Sequence, residues 1–423
     1  MRRVVVTGIG MMSPIGNTVA ETWQALLAGK SGVDRLSLVR PETFKAKIAA
    51  EVKNFDAASH PIASRYPNSG RNVHFGLIAS QEAVDQSGIL DGFYQPEQIG
   101  VYTGSGEGAQ DFPEFMGMIA RSYDNGNVDM KKFTQIALSE LHPEREFEQE
   151  PHAVPGHLAG RFQFFGPNAN TLTACAAAAQ AIGESAELIR QGDADAMLTG
   201  GSTSMIHYFG MSGFSLLTTL STRNDDPQRA SRPFDRDRDG FVLGEGAGML
   251  ILEEYESAKK RGANILAELT GYGSTADAYR ITDIHPEGRG AAASMSMALK
   301  QAKLNPEQID YLNAHGTSTK ANDKLETMAI KTAFGERAKS IPISSTKSMT
   351  GHLVAASGGI ESIFAILAMQ KGAAPPTINF ENRDPECDLD YIPNTARDLP
   401  SKHVLSNSFG FGGQNISLVF SAV

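Results

Sequence analysis

Apolar residues along this chain follow two rhythms. Short β-branched or aliphatic runs recur at Val4-Val5-Val6-Thr7-Gly8, Val101-Tyr102-Thr103-Gly104, Ala196-Met197-Leu198-Thr199-Gly200 and Ile265-Leu266-Ala267-Glu268-Leu269. Between them lie stretches with helical spacing, such as Glu184 to Arg190 and Ser357 to Lys371. Short apolar runs bounded by glycine predict buried strands, and the 3.6-residue period predicts helices. Their alternation predicts an α/β fold around a mostly parallel sheet.

A weak internal echo predicts two copies of one layered unit. Asn170-Thr171-Leu172-Thr173-Ala174 leads to Cys175 and an Ala-rich helix that ends near Gly192. In the second half, Ile341-Pro342-Ile343-Ser344-Ser345 leads through Lys347 to Gly351-His352, then a helix that ends near Gly372. The seam is expected beside Lys259-Lys260-Arg261-Gly262, which closes one helix before a new strand begins. That divides the chain into residues 1–262 and 263–423. The stretch 106–165 lacks clear periodicity and carries Glu144, Glu146, Glu148 and Glu150. It reads as an insertion, a cap or a subunit contact.

With 41% hydrophobic and 20% charged residues over 423 positions, the composition excludes a disordered or fibrous chain. A net charge of −10 without basic–aromatic runs argues against a nucleic-acid partner. Near the start, Met1-Arg2-Arg3 and Val4-Val5-Val6 briefly imitate a signal peptide, but Thr7, Gly8, Gly10, Ser13 and Pro14 interrupt it. No apolar stretch reaches membrane-spanning length, so a cytoplasmic protein with no membrane partner is expected. The two cysteines, Cys175 and Cys387, are too few for a disulfide framework. Cys387 lies in Asp384-Pro385-Glu386-Cys387-Asp388, where neighbouring carboxylates disfavour a thiolate, and is expected to be idle.

Cys175 sits where a strand-like run meets Ala176-Ala177-Ala178-Ala179. Unpaired N–H groups and the positive helix end there would lower a thiol pKa and make a nucleophile. A buried core cysteine is the alternative reading. His315 stands in Leu312-Asn313-Ala314-His315-Gly316-Thr317-Ser318-Thr319, and His352 closes Lys347-Ser348-Met349-Thr350-Gly351-His352. Either histidine alone reads as structural. All three candidates follow strand-like runs and open small-residue turns, the place where an open α/β sheet gathers ligand groups, so a shared site is the simpler account. Asn407-Ser408-Phe409-Gly410-Phe411-Gly412-Gly413-Gln414-Asn415 matches neither a Walker loop nor a dinucleotide fingerprint. A mobile loop offering a backbone N–H and an aromatic gate fits it better.

Together with Thr173-Ala174-Cys175-Ala176 and the long block Pro233-Phe234-Asp235-Arg236-Asp237-Arg238-Asp239-Gly240-Phe241-Val242-Leu243-Gly244-Glu245-Gly246-Ala247-Gly248, these motifs resemble the β-ketoacyl-acyl-carrier-protein synthase II family over nearly the whole chain. The resemblance implies a duplicated thiolase fold of five layers, α-β-α-β-α, a homodimer, and an acyl carrier protein as partner. It implies a decarboxylative Claisen condensation in fatty acid or related polyketide-type biosynthesis. Cys175 would carry the acyl group, with the N–H groups of Cys175 and Phe411 as oxyanion donors. His315 and His352 would stabilise the enolate left by malonyl decarboxylation. Lys347, with Glu361, would tune that network. Thr317, Thr319 and Thr282 would contact substrate, and Phe411 would gate the acyl pocket with Phe409 and Gly410 in its loop. No catalytic metal or organic cofactor is expected; Asn313, Glu361, Ser406 and Asn407 resemble a structural monovalent-cation site in some relatives.

Three departures bear on substrate and partner. Glu107 stands where the family places an apolar residue on the acyl-tunnel floor, and a carboxylate facing a fatty tail is costly unless paired. A short or polar acyl group, or a Glu107 turned away, would resolve that. The acidic insertion replaces the family's Pro- and Phe-rich tract, and Ser64-Arg65-Tyr66-Pro67-Asn68-Ser69-Gly70-Arg71 is less basic than the usual carrier-docking segment. Competing readings are an ordinary thiolase, for which Cys387 lies in the wrong kind of segment, and a non-catalytic chain-length-type partner, against which Cys175, His315 and His352 argue together. A metal hydrolase fails because no His or Cys pair has zinc-ligand spacing.

Overall fold

The structure is a computed structural model that describes residues 2–106 and 112–423. Glu107, the expected tunnel-floor residue, lies outside the described residues.

The first half of the chain supplies β1 (Val4–Met12), β2 (Ile99–Ser105), β3 (Asn168–Thr171), β4 (Ala196–Thr203) and β5 (Gly246–Glu254), in spatial order β1-β5-β4-β2-β3. The second supplies β6 (Ala267–Ala276), β7 (Tyr311–Asn313), β8 (Ile343–Ser344), β9 (His403–Phe409) and β10 (Gln414–Ser421), in spatial order β6-β10-β9-β7-β8. These are one topology written twice. The copies meet where β1 pairs with β6 through Val5–Glu268 and Val6–Ala267.

The expectation of a mostly parallel sheet needs correction. β3, β2 and β4 run parallel, as do β8, β7 and β9, but β5, β1, β10 and β6 pair antiparallel with their neighbours. One reason is local: β9 and β10 are joined by four residues, Gly410 to Gly413, far too few for the crossover a parallel pair requires.

The helices used below are α1 (Arg71–Ser87), α2 (Phe112–Ser122), α3 (Met130–Glu140), α4 (Pro143–Phe147), α5 (Ala153–Phe162), α6 (Ala177–Gln191), α7 (Tyr208–Leu216), α8 (Arg289–Ala302), α9 (Lys320–Phe334) and α10 (Ser357–Lys371). α6 and α10 pack on each other and on strands of both halves of this ten-stranded sheet, α1 and α5 cover the outer face of the first half, and α8 with α9 covers that of the second. The result is the five-layered α-β-α-β-α arrangement. α10 is buried at every position from Ser357 to Met369, as expected of a helix that is apolar all round and has no solvent face. The alanines of α6 serve close approach: a Cβ on Gly104 of β2 would stand 2.2 Å from the Ala177 carbonyl carbon.

The echo is present in the backbone, in a register other than the one the sequence pattern implied. Ala174 (φ 47°) and Val354 (φ 42°) each open a 3₁₀ turn, Ala174–Ala176 and Val354–Ala356. Each turn feeds a 15-residue helix that ends on a left-handed glycine, Gly192 or Gly372. Cys175 is therefore the counterpart of Ala355, not of the Gly351-His352 pair. A left-handed non-glycine residue costs roughly 1–2 kcal/mol, and here that conformation stands next to Cys175 in one half and two residues past His352 in the other.

The insertion is more regular than its sequence suggests. Its described part is largely helical, and α5 buries Val154, Leu158 and Phe162 against α1 and β2. By contrast, α3 has no buried residue. No described helix is long and apolar enough to cross a membrane.

Candidate active site

Cys175, His315 and His352, drawn from the two halves, line one cavity of about 600 Å³ together with Thr282, Thr317, Thr319 and Phe411. A second cavity of about 250 Å³ lies on the other side of the nucleophile, among Gly106, Leu172, Met205, Phe214, Val354 and Ala355. Cys175 and Phe411 line both cavities, so the sulfur and the aromatic ring stand at the boundary between them.

The position of Phe411 follows from Gly410. A Cβ there would lie 2.8 Å from the Thr173 carbonyl oxygen and 3.4 Å from the Cys175 nitrogen, so only glycine lets this turn rest on the nucleophile turn. The N–H groups of Phe411 and Cys175 then both act on the Cys175 sulfur. That is the donor pair expected for an oxyanion. Phe409 takes a different place, buried behind the site with its ring 5.7 Å from that of His315, and lines neither cavity.

The N–H groups at the helix start act on the Cys175 thiol in the expected direction, but burial outweighs them. Burial pushes the Cys175 thiol up to about 11, and the Lys347 charge with the two N–H groups only partly opposes that rise. Desolvation of the anion outweighs the favourable helix terminus. Cys387 is fully buried and pushed up to about 12, again chiefly by burial. The acidic neighbours invoked from the sequence add to a larger effect.

Both histidines are buried and held well below the ordinary histidine range, first by burial and then by the nearby Lys347 charge; His352 lowers His315 further. Their rings meet edge to face at 5.4 Å. The hydrogen bonds fix which nitrogen carries the proton. On His352, Nδ1 accepts from the Val354 N–H at 3.2 Å and faces the Ser357 hydroxyl at 2.9 Å. A proton on Nδ1 would collide with that N–H, so the neutral ring holds its proton on Nε2. On His315, Nδ1 lies 3.4 Å from the Lys347 ammonium, which can only donate, so Nε2–H is again the free donor.

Behind the histidines, Lys347 is buried and bound to Glu361 at 2.5 Å. Burial pushes the Glu361 carboxyl up to about 7 against the pull of that ammonium. Glu326 of α9 receives the N–H groups of His315 and Gly316 at 2.8 and 2.7 Å, and burial pushes it also up to about 7. The main chain of His352 is held from the other half: its N–H donates to the Val242 carbonyl and its carbonyl accepts from Gly244. Thr317 and Thr319 share a hydroxyl–hydroxyl contact of 2.9 Å on the cavity wall, and Thr282 lies exposed at the mouth.

Three residues that position the site were not singled out from the sequence. Phe241 packs its ring 5.2 Å from His352 and lines the cavity; it lay inside the long glycine-rich block, which carries the signal. Glu326 had one cue, an acid at a core-facing position of α9. Ser357 had none, since a serine opening a helix is an ordinary cap.

Comparison with known proteins agrees with this geometry. Residues 1–258 match the family described as "Beta-ketoacyl synthase, N-terminal domain", and residues 266–381 match "Beta-ketoacyl synthase, C-terminal domain". A 3-oxoacyl-[acyl-carrier-protein] synthase 2 of Synechocystis sp. is 44% identical over 427 residues, covering 99% of this chain and 98% of that protein. The protein of the same description from Coxiella burnetii is 43% identical over 430 residues, covering 100% and 99%. Among solved structures, a beta-ketoacyl synthase from Burkholderia phymatum covers 100% of both chains at 35% identity and a TM-score of 0.88. A type II PKS acyl-carrier protein in complex with its ketosynthase bound to the hexaketide gives 0.88 at 36% identity, covering 100% and 99%.

Proposed function

The chain belongs to the beta-ketoacyl synthase family and is a condensing acyltransferase; from that premise we propose that its acyl group rides on Cys175 and its carbon nucleophile is made beside His315 and His352. The observation that carries this assignment is the convergence of one thiol and two neutral, Nε2-protonated imidazoles on one cavity.

An acyl thioester on a carrier protein exchanges onto Cys175: the S–acyl bond to the carrier breaks, the bond to Cys175 forms, and the thiol proton ends on the departing carrier sulfur. A thiol with a pKa near 11 is a weak nucleophile until its proton leaves. The Lys347 charge and the N–H groups of Cys175 and Phe411 favour the anion once the reaction begins. Malonyl thioester then loses carbon dioxide, and the electron pair released forms an enolate whose oxygen accepts from the two Nε2–H groups. Neutral imidazoles suit this, because an imidazolium would protonate the carbanion. The carbanion attacks the acyl-cysteine, giving a 3-oxoacyl thioester on the carrier and a Cys175 thiolate that takes up one proton.

The acyl chain belongs in the smaller, largely apolar cavity past Phe411. A homodimer is supported by β3, which among the described residues pairs only with β2 and leaves an open edge, with Leu172 exposed beside it. Among the described residues the buried Glu361 Oε2 lacks a hydrogen-bond partner, which supports a structural monovalent cation beside it; Asn407 Oδ1 accepts from the Ser417 hydroxyl.

Radiolabelled malonyl carrier protein tests the assignment. Release of carbon dioxide should persist in Cys175→Gln and fall by about a hundredfold or more in the double variant His315→Ala, His352→Ala. Equal release from the double variant would remove the histidines from the mechanism.

A further inference from the structure

The mouth of the larger cavity is where the arm of any carrier must enter, and its rim is apolar. Leu217, Tyr279 and Ile284 line the cavity, so the segments that hold them border one opening. Leu216, at the end of α7, is 85% exposed, and Ile281 is 87% exposed. Large aliphatic side chains left in water around a functional mouth mark a surface that a partner covers. Lys324 is the one Lys or Arg among the described residues lining the cavity, and it is bound to Glu386 at 2.5 Å; Arg280, between Tyr279 and Ile281, faces Asp283 at 3.2 Å, and Lys320, next to Thr319, is exposed.

The stretch from Ser64 to Arg71 offers one exposed cation, Arg65. Arg71 is held by the buried Glu245. Asn68 and Ser69 donate to Glu144 and Glu148 of the acidic insertion at 2.7 and 2.6 Å, which sets carboxylates over that surface. An acidic carrier meets repulsion there and finds apolar contact at the mouth.

We propose that the acyl carrier protein docks on the apolar rim formed by Leu216, Leu217, Tyr279 and Ile281, packing apolar side chains around the attachment point of its arm instead of pairing acids with lysines and arginines. This rests on the reading that Cys175 is loaded from a carrier thioester. The rim is also joined to the gate, because the Ile281 carbonyl accepts from the Gly412 N–H at 2.7 Å, one residue past Phe411.

The test compares acylation of Cys175 by a hexanoyl group on an acyl carrier protein with acylation by hexanoyl-pantetheine, in the unchanged protein and in Leu216→Lys, Ile281→Lys. Both sites are exposed, so the variants keep the fold. An apolar dock predicts that the lysines lower the carrier kcat/KM at least about tenfold through KM, with the pantetheine rate unchanged. It also predicts a carrier KM that moves less than about threefold between about 50 and 500 mM salt. A carrier rate that the lysines leave unchanged or raise, or a KM that climbs about tenfold with salt, overturns the proposal. If neither donor loads Cys175 in the unchanged protein, the failure lies with the catalytic reading on which this one rests.

Discussion

The turn at Ala174–Ala176 and the turn at Val354–Ala356 are the same backbone device with opposite surroundings. Each begins with a left-handed non-glycine residue, winds through one 3₁₀ turn and feeds a 15-residue middle-layer helix. In the first, the second position carries a thiol among alanines. In the second, it carries Ala355, and the chemistry has moved to the flanks: His352 before the turn, Ser357 after it, and Lys347, Glu361, His315 and Glu326 packed behind. A duplicated fold thus repeats one backbone turn, and the side chains make the copies different: a thiol stands in the first, and an alanine flanked by His352 and Ser357 in the second.

The sharpest contrast between the regions is electrostatic. Cys175→Ala removes a small, neutral side chain and should change folding stability by only about 1 kcal/mol. Lys347→Met strands Glu361 and should cost about 3–5 kcal/mol above neutral pH, measured by denaturant unfolding. The sign with pH follows from Glu361. Its folded pKa, about 7, is raised above the ordinary carboxylate range, so its contribution is fully present below that range and lost as pH rises through about 7. The penalty in Lys347→Met should therefore shrink toward pH 5, where Glu361 is protonated. A pH-independent penalty would show that the pair does not control that carboxyl.

The same linkage sets an opposing trend for the histidines. Their folded pKa values lie well below the unfolded one, so folding stability falls as pH drops through the unfolded histidine range near 6.5. His352→Gln should flatten that acid-side slope relative to the unchanged protein, and an identical slope would contradict a buried neutral ring.

A smaller effect is expected at Ser357. Ser357→Ala leaves the Val354 N–H as the one donor to His352 Nδ1 and should slow decarboxylation about fivefold to tenfold, equivalent to about one hydrogen bond. Nitrogen NMR of labelled histidine should show the His352 Nδ1 resonance shift as one of its two donors is lost while the proton stays on Nε2, and Ser357→Thr should restore it. An unchanged spectrum would reduce Ser357 to a packing residue.

The smallest effect separates strain from chemistry in the paired turns. Ala174→Gly relieves a left-handed alanine and should stabilise the fold by roughly 1 kcal/mol. Val354→Gly gains the same relief but loses a buried side chain and should be neutral or destabilising. Equal shifts for both would mean the two turns are not the same device.

Much of the architecture was legible in the chain because its signals are local. The β-branched runs at Val4, Val101 and Ala196 became β1, β2 and β4, and Ser357 to Lys371 became α10. A second repeat went unread. Gln95-Pro96-Glu97-Gln98 and Asn305-Pro306-Glu307-Gln308 form matching capped 3₁₀ turns just before β2 and β7. They place the two halves in register more firmly than any resemblance between helices.

The sequence alone determined which residue types stand at strand ends and helix starts, and with them Cys175, His315, His352 and the glycines of the Phe411 loop. Those choices are made within a turn or two of chain, where period and steric freedom act. The tertiary structure decided the protonation of that chemistry. Burial lifts the thiol and keeps both imidazoles neutral, and the groups that set the electrostatics come from distant segments: Lys347 lies 32 residues beyond His315, and the Phe411 N–H reaches Cys175 from the end of the chain. Desolvation depends on everything packed around a group, and no local pattern contains that sum.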